Sequence, residues 1–265
     1  MSNMFFDVDI CVIGAGSAGL SVAAGASQLG ASTVLIEGHK MGGDCLNTGC
    51  VPSKALLAAA KAARRWRGEQ AFGVTYAPPS VDFAAVNRHV HGVVAAIAPN
   101  DSVERFEGLG VRVVQGTARF TGPRQIAVGS TSIRARRFVV ATGSSAAVPP
   151  IPGLDRVPYF TNETIFENTE LPRHLVIIGG GPIGLEMAQA HRALGSEVTV
   201  LEAAHILPKD DPELTLLLRQ RLVGEGIAIR EQVKVTRVEP EGDGVPAVRE
   251  TEGGSEDESP ARTFW

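Results

Sequence analysis

The stretch Gly42-Gly43-Asp44-Cys45-Leu46-Asn47-Thr48-Gly49-Cys50-Val51-Pro52-Ser53-Lys54 concentrates the reactive side chains of this chain. Two of its three cysteines stand five positions apart there. In one continuous helix, at about 100° per residue, they would point roughly 140° apart. Their Cα atoms would also lie beyond the roughly 4.4–6.8 Å that a disulfide spans. Bond formation between Cys45 and Cys50 therefore requires an irregular backbone, and Asn47-Thr48-Gly49 supplies residue types for a turn. Pro52 fits the first turn of a helix that runs on through Ser53 to Ala60. The positive end of that helix, together with Lys54, favours a thiolate on Cys50. The pattern suits a dithiol tuned for exchange. Two other readings compete with it. A zinc half-site lacks a second ligand pair, since Cys11 sits in an apolar run. Two unrelated buried thiols would not explain Gly-Gly before the pair and Pro-Ser-Lys after it.

The elements that must position this stretch begin with a strand. Val8 to Ile13 reads as a buried parallel strand, followed by Gly14-Ala15-Gly16-Ser17-Ala18-Gly19, a helix from Leu20 to Leu29, and strand Thr33 to Ile36 ending at Glu37. In that context the first glycine allows a tight turn, the second lets a pyrophosphate approach and the third lets helix pack on strand. The pyrophosphate would sit on the helix N-terminus, and Glu37 would accept hydrogen bonds from a ribose. The same unit returns 165 residues later without a gap. Strand Leu175–Ile178 leads into Gly179-Gly180-Gly181-Pro182-Ile183-Gly184, a helix from Leu185 to Leu194, and strand Val198–Leu201 ending at Glu202. Two phosphate cradles in one chain imply two dinucleotides.

Between and after these units the punctuation is plain. Residues 58–67 and 81–106 have helical spacing, with a break at Ala77-Pro78-Pro79-Ser80 and a restart at Pro99-Asn100-Asp101. His89 and His91 fall on different faces of that second helix, as packing or surface residues. Strands are expected at 111–114, 115–120, 125–128 and 137–140, closed by Ala141-Thr142-Gly143-Ser144. The Pro-rich connector Ala146 to Gly153 marks a domain boundary. Asp211-Pro212-Glu213 caps a helix running to Val223, and strands follow at 227–230 and 233–238. The acidic run 250–260 has no core residues, so 241–265 is expected to be disordered. The domains read as 1–148, 149–240 and a tail.

Composition bounds the class. With 44% hydrophobic and 20% charged residues the chain is a globular protein with ample core. A net charge of −4 without a basic stripe argues against nucleic acid as a partner. No apolar run is long enough for a membrane span. The start, Met1 to Asp7, has no basic n-region or secretory apolar segment, and three cysteines suit a reducing compartment, so the expectation is cytoplasmic.

The dithiol stretch, with the two glycine loops and Ala141-Thr142-Gly143, resembles the class I pyridine nucleotide-disulfide oxidoreductases. These flavoproteins include dihydrolipoamide dehydrogenase, mercuric reductase and glutathione reductase. The resemblance covers roughly residues 5–240. It implies an α/β fold of two Rossmann-like domains, the first for FAD and the second for NAD(H). It implies that electrons pass between NAD(H), FAD and a Cys45–Cys50 disulfide. Cys50 is then the thiol facing the flavin and Cys45 the interchange thiol, with Lys54 near the flavin and paired to Glu186. FAD would be held by Gly14, Gly16, Ser17, Ala18, Gly19 and Glu37. Gly43, Asp44, Gly49 and Lys54, then Gly116, Ala118, Ala141, Thr142, Gly143 and Ser144, would complete its site. NAD(H) would be held by Gly179, Gly181, Pro182, Ile183, Gly184, Glu186 and Glu202. No metal site is expected. Glu202, with no arginine in Ala203 to Leu207, favours NAD(H) over NADP(H).

The resemblance leaves three functions open. The first is reduction or oxidation of lipoamide or a similar small disulfide. The second is reduction of Hg(II), although no further cysteine pair precedes Cys45. The third is a non-catalytic dinucleotide-binding fragment. Family members are longer and homodimeric: their FAD domain is completed after the nicotinamide domain, and a dimerisation domain with a His-Glu pair follows. The chain is therefore expected to be truncated, with weakened turnover.

Overall fold

The computed structural model describes residues 4–68, 73, 77–241, 245–252, 255–260 and 263–264, so Met1–Asn3 and the Gly253-Gly254 pair lie outside it. The chain forms two compact units, Met1–Pro52 with His91–Ser145, and Ser53–Val90 with Ala146–Trp265.

The first unit is a mixed six-stranded sheet. Its central strand β1 (Phe5–Ile13) is flanked by β2 (Thr33–Glu37) and β6 (Thr131–Val140), both parallel to it. Beyond β2 lies β3 (Arg112–Gln115); beyond β6 an antiparallel meander adds β5 (Gln125–Val128) and β4 (Ala118–Gly122). Side chains alternate between faces along β1, so the sheet buries two separate clusters. Val12, Ala15, Leu20, Ala23, Leu35, Phe106 and Val111 pack on one side, bringing in helices α1 (Ser17–Gln28) and α5 (Val103–Gly108). Cys11, Val34, Ile36, Ile126, Val128, Ile133 and Ala135 form the other cluster, which the meander covers. Burial pushes the Cys11 thiol up to about 12, which makes it inert. The redox stretch itself forms α2 (Gly43–Asn47) and the start of α3 (Cys50–Gly68). Helix α4 (Phe83–Ile97) ends where expected, at a 3₁₀ turn holding Pro99, before α5.

The second unit has a parallel sheet in the order β13-β7-β8-β9: β7 (His174–Ile178), β8 (Glu197–Glu202), β9 (Ala228–Glu231) and the short β13 (Thr263–Phe264). Helices α6 (Pro182–Leu194) and α7 (Pro212–Gly224) make its crossovers. Asp211 caps α7 as expected, accepting from the Glu213 N–H at 2.9 Å.

Residues 53–90 cluster with the second unit. The physical reason is a set of ties between residues far apart in sequence. Lys54 pairs with Glu186, Arg64 with Glu225, and the Asn87 amide donates to the Phe166 and Asn168 carbonyls. Strands are described on both sides of Glu241. β10 (Lys234–Glu241), β11 (Val245–Glu252) and β12 (Ser255–Pro260) form an antiparallel sheet. The open backbone edge of β10 recruits the next segment by main-chain hydrogen bonding, which needs no apolar side chains.

Glu225, just past α7, is the densest of these ties. Its carboxylate accepts from Arg221 Nε at 2.6 Å and Gln189 Nε2 at 3.1 Å. Arg64 Nη1 stands 2.6 Å from it as a close ion pair without hydrogen-bond alignment. Burial alone would raise the Glu225 pKa, but the hydrogen bonds from Arg221 and Gln189 and the charges of Arg64 and Arg221 outweigh it and lower it. A carboxyl with a lowered folded-state pKa stabilises the fold above its unfolded value, and that contribution disappears as pH falls through the folded value. Glu225→Gln is expected to cost about 2 kcal/mol at pH 7, read by urea denaturation. The difference from the parent should shrink as the titration is repeated into acid.

Candidate functional site

The break between α2 and α3 is built by glycine and asparagine, as the spacing requires. Asn47 donates its amide to the Met41 and Gly43 carbonyls at 3.0 and 2.9 Å, closing the turn. Thr48 leaves helical geometry at φ −140°, and its N–H donates to the Asp44 carbonyl at 2.9 Å. At Gly49 a Cβ would lie 2.9 Å from that same carbonyl oxygen, so no larger residue fits without a shift. The result brings the two thiols into hydrogen-bond contact. The Cys45 thiol is pushed up to about 11, first by its hydrogen bond with Cys50, then by burial and by charge on Cys50, with a smaller push from Asp101.

Helix α2 is fastened to the first glycine loop. The Gly42 N–H donates to the Ala15 carbonyl at 2.9 Å, with Gly42 left-handed at φ 86°. A Cβ on Gly43 would stand 2.6 Å from Gly16 Cα. Within the loop, a Cβ on Gly14 would meet the Ala141 carbonyl oxygen at 2.2 Å, and one on Gly19 the Gly14 carbonyl oxygen at 1.8 Å. Ser17 and Ala18 open α1. Glu37 ends β2, and its carboxylate accepts from the Ala15 N–H at 2.6 Å and the His39 N–H at 2.7 Å. It therefore braces the loop while keeping lone pairs for a further donor. Gly116 joins the same sheet end, its N–H donating to the Glu37 carbonyl at 2.8 Å, and Ala118 starts β4. The Ala141 N–H donates to the Ile13 carbonyl at 2.8 Å, which sets Thr142 beside Gly14 at the carboxyl ends of the parallel strands, with Gly143 and Ser144 following in the chain. That end is where open α/β sheets bind ligands.

The second unit repeats these bonds at the same 165-residue offset. Glu202 accepts from the Gly180 N–H at 2.7 Å and the Ala204 N–H at 2.9 Å, matching Glu37 with Ala15 and His39. Gly179 turns at φ 118°, Gly181 caps α6, and Pro182 occupies its first turn, where the missing N–H is harmless. Gly184 is buried, whereas Ile183 is exposed and lines an apolar cavity of about 200 Å³ with Ile178, Val148 and Tyr159. The repeat extends further than the sequence reading carried it. The Leu207 N–H donates to the Gly180 carbonyl at 3.1 Å, as Gly42 does to Ala15, and Leu207 is left-handed at φ 48°. Continuing the offset beyond Glu37 would have found Leu207.

Lys54 Nζ stands 2.5 Å from Glu186 Oε1, the pair that their offsets from the two motifs suggested. Both side chains are exposed, so the pair contributes little stability. Its use is to fix where a cation and an anion point.

A family model for pyridine nucleotide-disulphide oxidoreductases matches residues 8–264. The chain belongs to this family. It is 37% identical over 259 residues to a dihydrolipoyl dehydrogenase of Thermus scotoductus, covering 94% of this chain and 54% of that protein. It is 35% identical over 245 residues to a mercuric reductase of Streptomyces lividans, covering 90% and 52%. Among solved structures, the HOCl-induced flavoprotein disulfide reductase RclA from Escherichia coli superposes with a TM-score of 0.78 at 27% identity, covering 97% of this chain and 55% of that one. The chain thus spans about half the length of the relatives it matches. Among the described residues no helix is long and apolar enough to cross a membrane.

Cys50 is the largest single cause of the raised Cys45 value. In Cys50→Ala the pH midpoint for iodoacetamide alkylation of Cys45 should therefore fall from about 11 toward the ordinary thiol range. An unchanged midpoint would mean that burial, rather than the neighbouring sulfur, sets it.

Proposed function

We propose that the chain is an FAD-dependent disulfide oxidoreductase of the dihydrolipoamide dehydrogenase type, passing electrons between NAD(H) and a small disulfide through Cys45 and Cys50. The observation that carries this reading is the fastening of the dithiol helix to the first glycine loop, Gly43 against Gly16 and the Gly42 N–H on Ala15. A dithiol unrelated to a loop-bound cofactor would have no need of that contact.

The loops fit dinucleotides on their own geometry, because the space that Cβ atoms would fill is needed by their own backbone or left open above a helix start. FAD would lie on Gly14 to Gly19, with Glu37 toward its ribose. Gly43, Asp44, Gly49, Gly116, Ala118 and residues Ala141 to Ser144 would line the rest of its site. NAD(H) would lie on Gly179 to Gly184, with Glu202 toward its ribose and the apolar cavity beside Ile183 suited to a flat ring. When bound, FAD supplies two-electron exchange between a hydride donor and a disulfide.

The chain's own residues do the rest. The Cys45–Cys50 disulfide takes two electrons and two protons and becomes two thiols. Cys45 loses its proton and, as thiolate, attacks one sulfur of the substrate disulfide, and the other sulfur leaves and takes up a proton. Cys50 in turn loses its proton and attacks the sulfur of Cys45, restoring the internal disulfide, and the second substrate sulfur leaves and takes up that proton. A raised pKa makes the Cys45 thiolate, once formed, a stronger nucleophile. Lys54, one turn after Cys50 and held by Glu186, supplies a positioned cation.

A second reading, reduction of Hg(II), is supported by mercuric reductase relatives at 35% identity, close to the 37% of the dihydrolipoyl dehydrogenase. Two adjacent thiols suit a soft metal ion as substrate. One assay set separates the readings. The purified 265-residue chain is loaded with FAD, and NADH-dependent reduction of lipoamide and of Hg(II) is followed. Lipoamide reduction that is abolished in Cys45→Ser supports the first reading, and activity on Hg(II) alone supports the second. FAD retention with no thiol-dependent reduction of either substrate would sink both. NADH should bind at least about tenfold tighter than NADPH, because Glu202 repels a 2′-phosphate.

A further inference from the structure

Glu231, at the end of β9, belongs to no motif, yet the second glycine loop depends on it. It is the strand neighbour of Glu202, the two being register partners in the parallel β8–β9 pair. Its Oε1 accepts from the Ile206 N–H at 2.9 Å, and its Oε2 accepts from Arg219 Nε at 3.0 Å. His205 Nδ1 stands 3.5 Å from Oε1. One mostly buried carboxylate therefore gathers a backbone N–H, a guanidinium and an imidazole at the ligand-binding end of the sheet. Burial would raise its pKa, but the Ile206 N–H and the Arg219 hydrogen bond and charge prevail and lower it, so it is ionised at neutral pH.

Backbone strain converges on the same place. Among the described residues only Leu207 (φ 48°) and Gln232 (φ 59°) are left-handed without being glycine. Leu207 ends this loop and Gln232, just past β9, bonds to it: the Leu207 N–H holds the Gly180 carbonyl, and the Gln232 N–H donates to the Ala204 carbonyl at 3.0 Å. Ile206, fully buried, sits against Gly180, where a Cβ would stand 2.6 Å from its Cγ2. Strained residues persist where surrounding contacts over-determine them, and such places are used for function. The first unit makes the equivalent turn with Gly42, which needs no such clamp.

We propose that Glu231 is a specificity-positioning residue of the second nucleotide site: it clamps loop 203–207 through Ile206 and holds Arg219 and His205 away from the ribose 2′-position, so that Glu202 alone meets it. This rests on the reading that the second unit binds NAD(H), and it deepens that reading. Glu202 discriminates by repulsion, and repulsion works only if no nearby cation is available to receive a 2′-phosphate. Arg219 would be well suited to receive one, since guanidinium binds phosphate in a bidentate manner. Glu231 keeps it engaged.

The test is direct titration of the full chain with NADH and with NADPH at neutral pH, followed by nucleotide fluorescence. In Glu231→Gln, NADPH should bind about tenfold tighter while NADH changes less than about threefold, so the preference ratio falls. Adding Arg219→Met to that variant should restore the ratio. Arg219→Met alone is a milder change on a partly exposed helix position, and it covers the case where Glu231→Gln does not fold. It leaves Glu231 uncompensated, so NADPH should weaken by about threefold or more with NADH unchanged. An unchanged ratio in each folded variant, or equal loss of both nucleotides, overturns the proposal and leaves Glu231 purely structural. Failure of the parent chain to bind NADH at all would instead overturn the reading on which it rests.

Discussion

Everything chemical in the first unit depends on the close approach of Gly43 to Gly16. A Cβ on Gly43 would stand 2.6 Å from Gly16 Cα, well inside van der Waals contact, so the backbones touch with nothing between them. That approach, with the Gly42 N–H on the Ala15 carbonyl, fixes the helix carrying Cys45 to the loop that would hold a cofactor phosphate. From it follow the tight turn at Thr48-Gly49, the start of α3 at Cys50 and the hydrogen bond between the two sulfurs. Loosening this contact would move a thiol pair whose chemistry needs sub-ångström placement.

The second unit uses the same backbone plan with different side chains. Glu37 and Glu202 brace their loops through the same pair of N–H groups, at the same offset, to within 0.2 Å. Where the first unit turns with glycine at 42, the second turns with leucine at 207 and accepts the strain. That strain is compensated by Ile206 packing on Gly180 and by Glu231 bonding the Ile206 N–H. A duplicated scaffold has thus been adapted once to carry a thiol pair and once to carry a clamped, acid-lined loop.

Much of this was legible in the sequence because the decisive constraints are local. Strand, glycine loop, helix and terminal acid declare themselves by residue type and spacing, and so did the irregular backbone between Cys45 and Cys50. The Lys54–Glu186 pair was accessible through fixed offsets from two motifs, although the residues are 132 positions apart. What stayed hidden depends on contacts that no periodicity encodes. The placement of residues 53–90 in the second unit rests on Arg64, Asn87 and Glu225 meeting across long separations. The strands after Glu241 arise from an open backbone edge rather than from an apolar pattern. Glu231 lies in no motif, and its importance emerges only from its partners.

The central claim is that Cys45 and Cys50 are the immediate electron store of a flavin-loaded chain. The most direct test starts from the oxidised, FAD-loaded protein under anaerobic conditions, adds one equivalent of NADH, and then alkylates and maps thiols by mass spectrometry. The account predicts two new thiols, at Cys45 and Cys50, for each NADH consumed, while the flavin stays oxidised. NADH consumed with the flavin bleached and the Cys45–Cys50 bond intact would contradict it.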